Sequence, residues 1–305
     1  MDPATVSESM VAAAIANVAF ACAVGTCLAV LMLGNAPPLV RHRLQRFAAG
    51  CAVTLILADA ANLLLEAALM SGSAPDAAFT SLVPVVTQSH FGMAWSIRFV
   101  ALIVWTGLLL RARQGGRATR MGVALFAAAL FAFSKAASSH AADAGDFSLP
   151  EWIRWAHLCA TATWAGLVIA SGLWVLPTLR ASPTGDVVTQ YATRLSRAAL
   201  IAVSVVLVSG IYNAERGLGG SLSALAVSGW GIILDVKLVL VGTAIVLGGI
   251  NRLVYLPRMQ RVEERCAADS FLAILRAEAV TMVGVLSAAA VLAHSAPGAH
   301  LGAGP

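Results

Sequence analysis

Long apolar blocks alternate with short polar segments along the whole chain. A helix needs about 20 apolar residues to cross about 30 Å of hydrocarbon, and eight blocks meet that length. The predicted helices 1 to 8 are Val11–Leu33, Phe47–Met70, His90–Leu110, Thr119–Ser139, Glu151–Leu176, Leu195–Asn213, Gly229–Ile250 and Ser270–Ala293. The pattern therefore predicts an all-α, polytopic integral membrane protein that forms a single transmembrane domain over residues 1–305.

The composition supports this class, since 59% of the residues are hydrophobic, 11% are charged and the mean hydropathy is +0.83. Most of the 20 Lys and Arg residues fall in the four loops after helices 1, 3, 5 and 7, which the positive-inside rule assigns to the cytoplasm. We therefore expect both termini to be periplasmic. The basic charge follows from this topology, so we expect lipid and no nucleic acid around the protein.

Polar residues inside the apolar blocks are costly and mark functional or paired positions. In helix 2, Asp59, Asn62 and Glu66 share one face because they are spaced by three and four residues. In helix 3, Arg98 lies about 12 Å from the outer end, and Asp59 lies about 16 Å from it. We therefore predict that Asp59 and Arg98 are close neighbours.

Acidic and basic residues within the blocks are equal in number, which predicts internal ion pairs or an ion path. Helix 7 contributes Asp235 and Lys237 to this set. The full set is Asp59, Glu66, Asp235 and Glu278 against Arg98, Lys135, Lys237 and Arg276.

Histidines concentrate on one predicted side, because only His42 of the six maps to the cytoplasmic loops. His140 ends helix 4, a short acidic loop follows, and His157 lies near the start of helix 5. Imidazole with a methionine thioether favours copper over calcium or magnesium. The predicted metal residues are His140 and His157 first, then His90 with Met93, then His294.

The chain has no phosphate-cradling GK[ST] loop, no H-E-x-x-H and no G-x-S-x-G. We therefore predict that it is not an enzyme and not an ATP-driven pump. Transport would run downhill or be coupled to protons or membrane potential, for which the intramembrane carboxylates are candidates.

Two halves share a weak pattern. Gly92 precedes Arg98 by six residues in helix 3, and Gly231 precedes Lys237 by six in helix 7. Helices 4 and 8 both end at a histidine on the same predicted side. This pattern is consistent with a parallel four-plus-four repeat of residues 1–140 and 151–294.

Several motifs in the second half resemble the copper resistance D (CopD) family of bacterial inner-membrane proteins. They are W-x-H-x6-W-x-G from Trp155 to Gly166, the run from Ser196 to Ala214, W-G-x5-K from Trp230 to Lys237, N-R at Asn251, and R-x-E from Arg276 to Glu278. The resemblance is clearest over about residues 185–294. In the first half, Ser139 stands where the family motif G-H-A has glycine.

The resemblance implies a multi-pass protein of the inner membrane that handles copper and contributes to copper homeostasis or resistance. Members of the family are associated with copper movement from periplasm to cytoplasm, beside a small periplasmic copper-binding partner of the CopC type. No fused domain of this kind is expected here, so such a partner would be a separate protein.

Two alternatives remain open on the same residues. Paired histidines near one face could hold haem, as in membrane cytochromes of the b type. A copper sensor or assembly subunit that does not transport would also fit.

Overall fold

The computed structural model describes residues 3–33, 38–72, 77–111, 117–139, 145–180, 185–218, 225, 228–261 and 265–295. Every regular element within these ranges is helical, and eight of the helices are long and apolar enough to cross a membrane. The chain is therefore an all-α, multi-pass membrane protein, which confirms that part of the prediction.

We number the eight spanning helices α1 to α8. They are α1 (Pro3–Met32), α2 (Pro38–Ser71), α3 (His90–Leu110), α4 (Arg117–Ala137), α5 (Leu149–Arg180), α6 (Gly185–Leu218), α7 (Gly229–Arg261) and α8 (Arg265–Ala293). A 3-10 turn (Ala78–Ser81) and a short helix (Leu82–Gln88) precede α3. Several helices are longer than predicted because neighbouring arginine-bearing segments also coil into the helix.

The two ends of the bundle differ in chemistry, and we name them for it. The histidine end is where α3 begins at His90 and α8 ends at Ala293. The arginine end is the opposite one, where α5 ends at Arg180 and α7 ends at Arg261.

Helices α1 and α5 form the centre of the bundle. Both are buried over a larger share of their length than the other spans, and each packs against several neighbours. They cross where Gly25 of α1 meets Gly166 of α5, so closely that a Cβ on Gly166 would lie 1.8 Å from the carbonyl oxygen of Ala21. Small residues allow such close approach between membrane helices, where packing and not the hydrophobic effect drives association.

Helices α6 and α7 are less buried than α1 and α5. α6 packs mainly on α5, whereas α7 packs mainly on α8. Two π segments, Ser171–Val175 in α5 and Asn251–Tyr255 in α7, widen these helices near the arginine end. Each stands before a proline, Pro177 or Pro257, whose ring cannot continue regular α-helical bonding, so the wider turn accommodates it.

The first turns of α3 and α7 are built alike. The Ser89 hydroxyl accepts a hydrogen bond from the Gly92 N–H at 2.9 Å, and the Ser228 hydroxyl accepts one from Gly231 at the same distance. Each serine is an N-cap that satisfies an amide which the helix itself leaves without a partner. Arg98 and Lys237 therefore follow equivalent caps at the same spacing.

Candidate functional site

At the histidine end, the start of α3 presents solvent-accessible side chains that could bind a metal ion. The Nε2 atom of His90 lies 3.1 Å from Oδ1 of Asp146, and both side chains are more than half exposed. Met93 lies one turn further along α3 and is also exposed. Imidazole, carboxylate and thioether donors are thus accessible within one turn of this helix end.

A second histidine of this end lies near a carboxylate inside the bundle. His294, at the end of α8, is close enough to Glu66 of α2 for their charges to interact. The Nδ1 atom of His294 lies 2.8 Å from the Ala290 carbonyl oxygen, which makes Nδ1 the donor and leaves Nε2 as the acceptor nitrogen. Glu66 is half-buried and has no hydrogen bond among the described residues.

The prediction that Asp59 and Arg98 are neighbours is confirmed. Arg98 Nε lies 2.9 Å from Asp59 Oδ1, and both side chains are buried. Arg98 also donates from Nη1 to the Ser138 hydroxyl at 3.2 Å, and its guanidinium lies over the Phe131 ring. The second carboxylate oxygen of Asp59, Oδ2, is buried without a hydrogen bond in the described part of the chain.

The ammonium of Lys135 on α4 is hydrogen-bonded to a neutral side chain and not to a carboxylate. Its ammonium donates to Asn17 Oδ1 of α1 at 2.7 Å, and the Asn17 amide donates to the Leu286 carbonyl of α8 at 3.3 Å. We call Asp59, Arg98, Lys135 and Asn17 the paired region. Asn17 was missed as a partner by the sequence analysis, although it is the one strongly polar residue inside the apolar block of helix 1.

The prediction of internal ion pairs or an ion path covers eight ionisable side chains, and the structure pairs two of them with each other within the described ranges. Within the described ranges, Asp59–Arg98 is the one salt bridge in that set of eight side chains. Asp235 is exposed on α7 and Arg276 donates to the Gly172 carbonyl, while Glu278 is buried where α8 meets Gly248 of α7. The other six side chains form no ion pair with one another in the described part of the chain.

The second half contains a polar group of a different character. His157 Nδ1 lies 3.0 Å from the Ser209 hydroxyl of α6. A Cβ on the neighbouring Gly210 would lie 3.4 Å from Cε1 of the imidazole. Arg154 of α5 and Lys237 of α7 are close enough for their charges to act on this ring and on each other. We call Arg154, His157 and Lys237 the cationic region. Its positive charge opposes the binding of a bare metal cation at His157.

Several donors around the cationic region have no partner in the described chain. The Arg154 Nε, Thr161 Oγ1 and Asn213 Nδ2 atoms are buried and make no hydrogen bond. Glu151, one turn from Arg154 toward the histidine end, accepts a hydrogen bond from the Phe147 amide at 2.6 Å and forms no ion pair with Arg154. The region therefore holds cationic and neutral donors that no acceptor within the described residues satisfies.

Among the described residues, the structure does not bring the predicted metal residues into one ligand set. Over the described residues, no group of three His, Cys, Asp or Glu side chains is placed to hold a metal ion. His90 and His157 have separate partners, and His294 lies near enough to Glu66 for their charges to interact. His140 lies outside the described residues. Asn62, between Asp59 and Glu66 on α2, is half-buried.

Two family comparisons match most of the chain. Residues 8–149 match the family described as "Copper resistance protein D-like, N-terminal domain", and residues 189–292 match "Copper resistance protein D". The first segment contains α2, α3 and α4 and most of α1, and the second contains α7 and most of α6 and α8. α5, which carries Arg154 and His157, lies between the two matches.

Two relatives are similar over most of their length. "Copper resistance protein D" of Pseudomonas syringae pv. tomato is 27% identical over 218 residues, which cover 69% of this chain and 69% of the relative. "Inner membrane protein YebZ" of Escherichia coli (strain K12) is 26% identical over 239 residues, covering 75% of this chain and 77% of the relative. No solved structure matches the chain.

Proposed function

Because the chain belongs to the copper resistance protein D family, we propose that it moves copper across the bacterial inner membrane, from periplasm to cytoplasm. The single observation that carries this proposal is the match of both family domains, which together include most of the spanning helices. The similarity to an inner-membrane protein of E. coli supports the membrane assigned here. In this proposal the protein acts without catalysis, and copper is its cargo.

We propose that the histidine end and both termini face the periplasm. The arginine-rich segments that α2, α6 and α7 carry at the other end support this orientation, since basic residues accumulate on the cytoplasmic side. The matching serine caps of α3 and α7 support a parallel repeat of two four-helix halves. A separate periplasmic copper-binding protein of the CopC type would deliver the ion.

The proposed route begins at exposed donors and continues along α2. His90 and Met93 receive copper at the surface together with His140, and His294 passes it toward Glu66. Asn62 and Asp59 continue the face inward, where the unpartnered Oδ2 of Asp59 offers an acceptor. His157 is the least favoured of the predicted ligands because Arg154 and Lys237 lie beside it.

Copper uptake into vesicles tests this proposal. Purified protein is reconstituted, copper is added outside at two pH values, and internal copper is measured. Replacing both Glu66→Gln and His294→Ala should lower uptake about tenfold or more, as loss of ligands and of their supporting groups does at other metal sites. Glu215→Gln, an exposed carboxylate at the end of α6, is the matched control and should leave uptake unchanged.

The other predicted histidines are tested in the same assay. The double variant His140→Ala with His157→Ala should also reduce uptake, and His157→Ala alone should reduce it least. Wild-type vesicles that take up no more copper than empty ones would overturn transport, and bound copper in that case would indicate a sensor or assembly subunit. An intense Soret band in the purified protein would instead indicate haem.

A further inference from the structure

Arg154 and Lys237 form a concentration of positive charge that lacks an acidic partner among the described residues. Neither side chain has a hydrogen bond or ion pair there, and the Nε atom of Arg154 is fully enclosed. An isolated charge held away from water costs several kcal/mol, so proteins pair such groups or bind a counter-ion. Lys135 extends this charge toward the paired region, since it also interacts with Arg154.

The helices α6 and α7, which flank the region, contact each other near their two ends. At the histidine end the two helices meet where Gly217 touches the indole of Trp230. At the arginine end Arg252 donates to the Ser196 hydroxyl at 2.8 Å. Between these contacts the described parts of α6 and α7 are not packed extensively on each other. At the level of Lys237, α6 and α7 therefore hold each other less closely than at their two ends.

The available donors suit an oxyanion. A guanidinium presents N–H groups in a fork that matches phosphate, and an ammonium adds a point charge. Thr161 lies one turn from His157 on the same face of α5, and Asn213 lies one turn from Ser209 on α6. Because α5 and α6 are antiparallel and His157 meets Ser209, the helix spacing puts Asn213 at about the level of Arg154.

We propose that the cationic region binds a phosphate group, held by Arg154 and Lys237 with Asn213 and Thr161 as neutral donors. The phosphate belongs either to the headgroup of an anionic phospholipid that enters between α6 and α7, or to free inorganic phosphate. Lys237 lies about 12 Å along α7 from its start, a depth that a long basic side chain shortens by extending toward the membrane surface. This site is independent of the copper route on α2.

Thermal unfolding of the full-length protein tests the site. The protein is measured in neutral detergent with potassium phosphate or with potassium chloride of equal ionic strength, and in nanodiscs of phosphatidylcholine with or without phosphatidylglycerol. Wild-type protein should unfold several degrees higher with one of the two phosphate sources, because a ligand that binds only the folded state stabilises it. Arg154→Gln and Lys237→Gln should each raise the concentration of the phosphate source at half-saturation by about tenfold or more.

Arg216→Gln is the matched control, since it removes an exposed cation from the same end of α6 and should keep the wild-type response. A response to potassium phosphate alone identifies free phosphate, and a response to phosphatidylglycerol alone identifies the lipid. The proposal is overturned if wild type responds to neither source, or if Arg154→Gln and Lys237→Gln respond like wild type. As a further check without ligand, both variants should unfold at or above the wild-type temperature, whereas cations with a structural partner would give lower values.

Discussion

The paired region and the cationic region each include a basic residue of a helix that begins at a serine cap, yet they differ in charge balance. Arg98 and Lys237 both follow a serine cap and a glycine at the same spacing. Arg98 meets Asp59 from the preceding long helix, whereas α6, the helix that precedes Lys237 along the chain, carries the neutral residues Ser209 and Asn213 on its corresponding face. The same backbone arrangement thus carries a neutralised pair in one half and unneutralised cations in the other.

The difference teaches which ligand each region can accept. On α2 the positions spaced by three and seven residues are Asp59, Asn62 and Glu66, and the same spacing on α6 gives Val206, Ser209 and Asn213. Because α6 has no carboxylate at these positions, it offers neither an acidic partner for a basic residue nor the oxygen donors that bind a metal cation. The first half therefore suits a cation, and the second half suits an anion.

The largest effect is expected where the two halves join, at the crossing of α1 and α5. Gly166→Val places side-chain atoms against the backbone of Ala21 and should destabilise the protein by about 4 kcal/mol or more, since a backbone cannot move aside cheaply. Both regions should then be lost together. The measurement is the amount of folded protein in membranes and its unfolding in mixed micelles.

Gly242→Val on α7 is the control for this change, because a Cβ there meets no atom within 4 Å. It should behave like wild type within about 1 kcal/mol, because the helix propensities of glycine and valine differ by less than that. Equal destabilisation by the two variants would mean that the crossing of α1 and α5 is not a tight contact.

The next effect separates the regions. Asp59→Leu alone leaves Arg98 buried without its partner and should cost about 3 kcal/mol, whereas Asp59→Leu combined with Arg98→Leu should recover most of this loss. Exchange of the two residues should also recover part of it. The test is the free energy of unfolding of wild type, Asp59→Leu, Arg98→Leu and the double variant. A loss in the double variant equal to the sum of the two single losses would contradict the pairing.

The number of helices and their places follow from the sequence because the bilayer sets the length of each apolar block. The pairing of Asp59 with Arg98 was also predictable, since depth along two helices restricts possible partners. Asn17 as the acceptor for Lys135 was not, because amides pair with many groups and charge counting ignores them. The cationic region was missed for a related reason: the second half holds as many acids as bases in that set, but Asp235 is exposed on α7 and Glu278 lies against Gly248, so equal numbers do not place an acid beside Lys237.

A smaller effect compares the two amides that lie in these regions. Asn17→Leu removes the acceptor of the Lys135 ammonium and should cost about 2 kcal/mol. Asn213→Leu removes an amide nitrogen that has no partner in the described chain, so the protein without phosphate should keep or gain stability. The comparison is made by unfolding in neutral detergent. A large loss for Asn213→Leu under these conditions would show that the cationic region has an internal partner.

The smallest effect asks whether the two halves truly share one frame. Ser89→Ala and Ser228→Ala each remove an N-cap hydrogen bond of 2.9 Å and should each cost about 1 kcal/mol. If the two losses are similar while the losses at Asp59 and Asn213 differ, the contrast between the regions arises from side-chain charge and not from the backbone. If instead the loss of one cap destabilises the protein several times more than the loss of the other, the first turns of α3 and α7 are stabilised by different contacts. The unequal charge balance around Arg98 and Lys237 is then explained by those distinct surroundings.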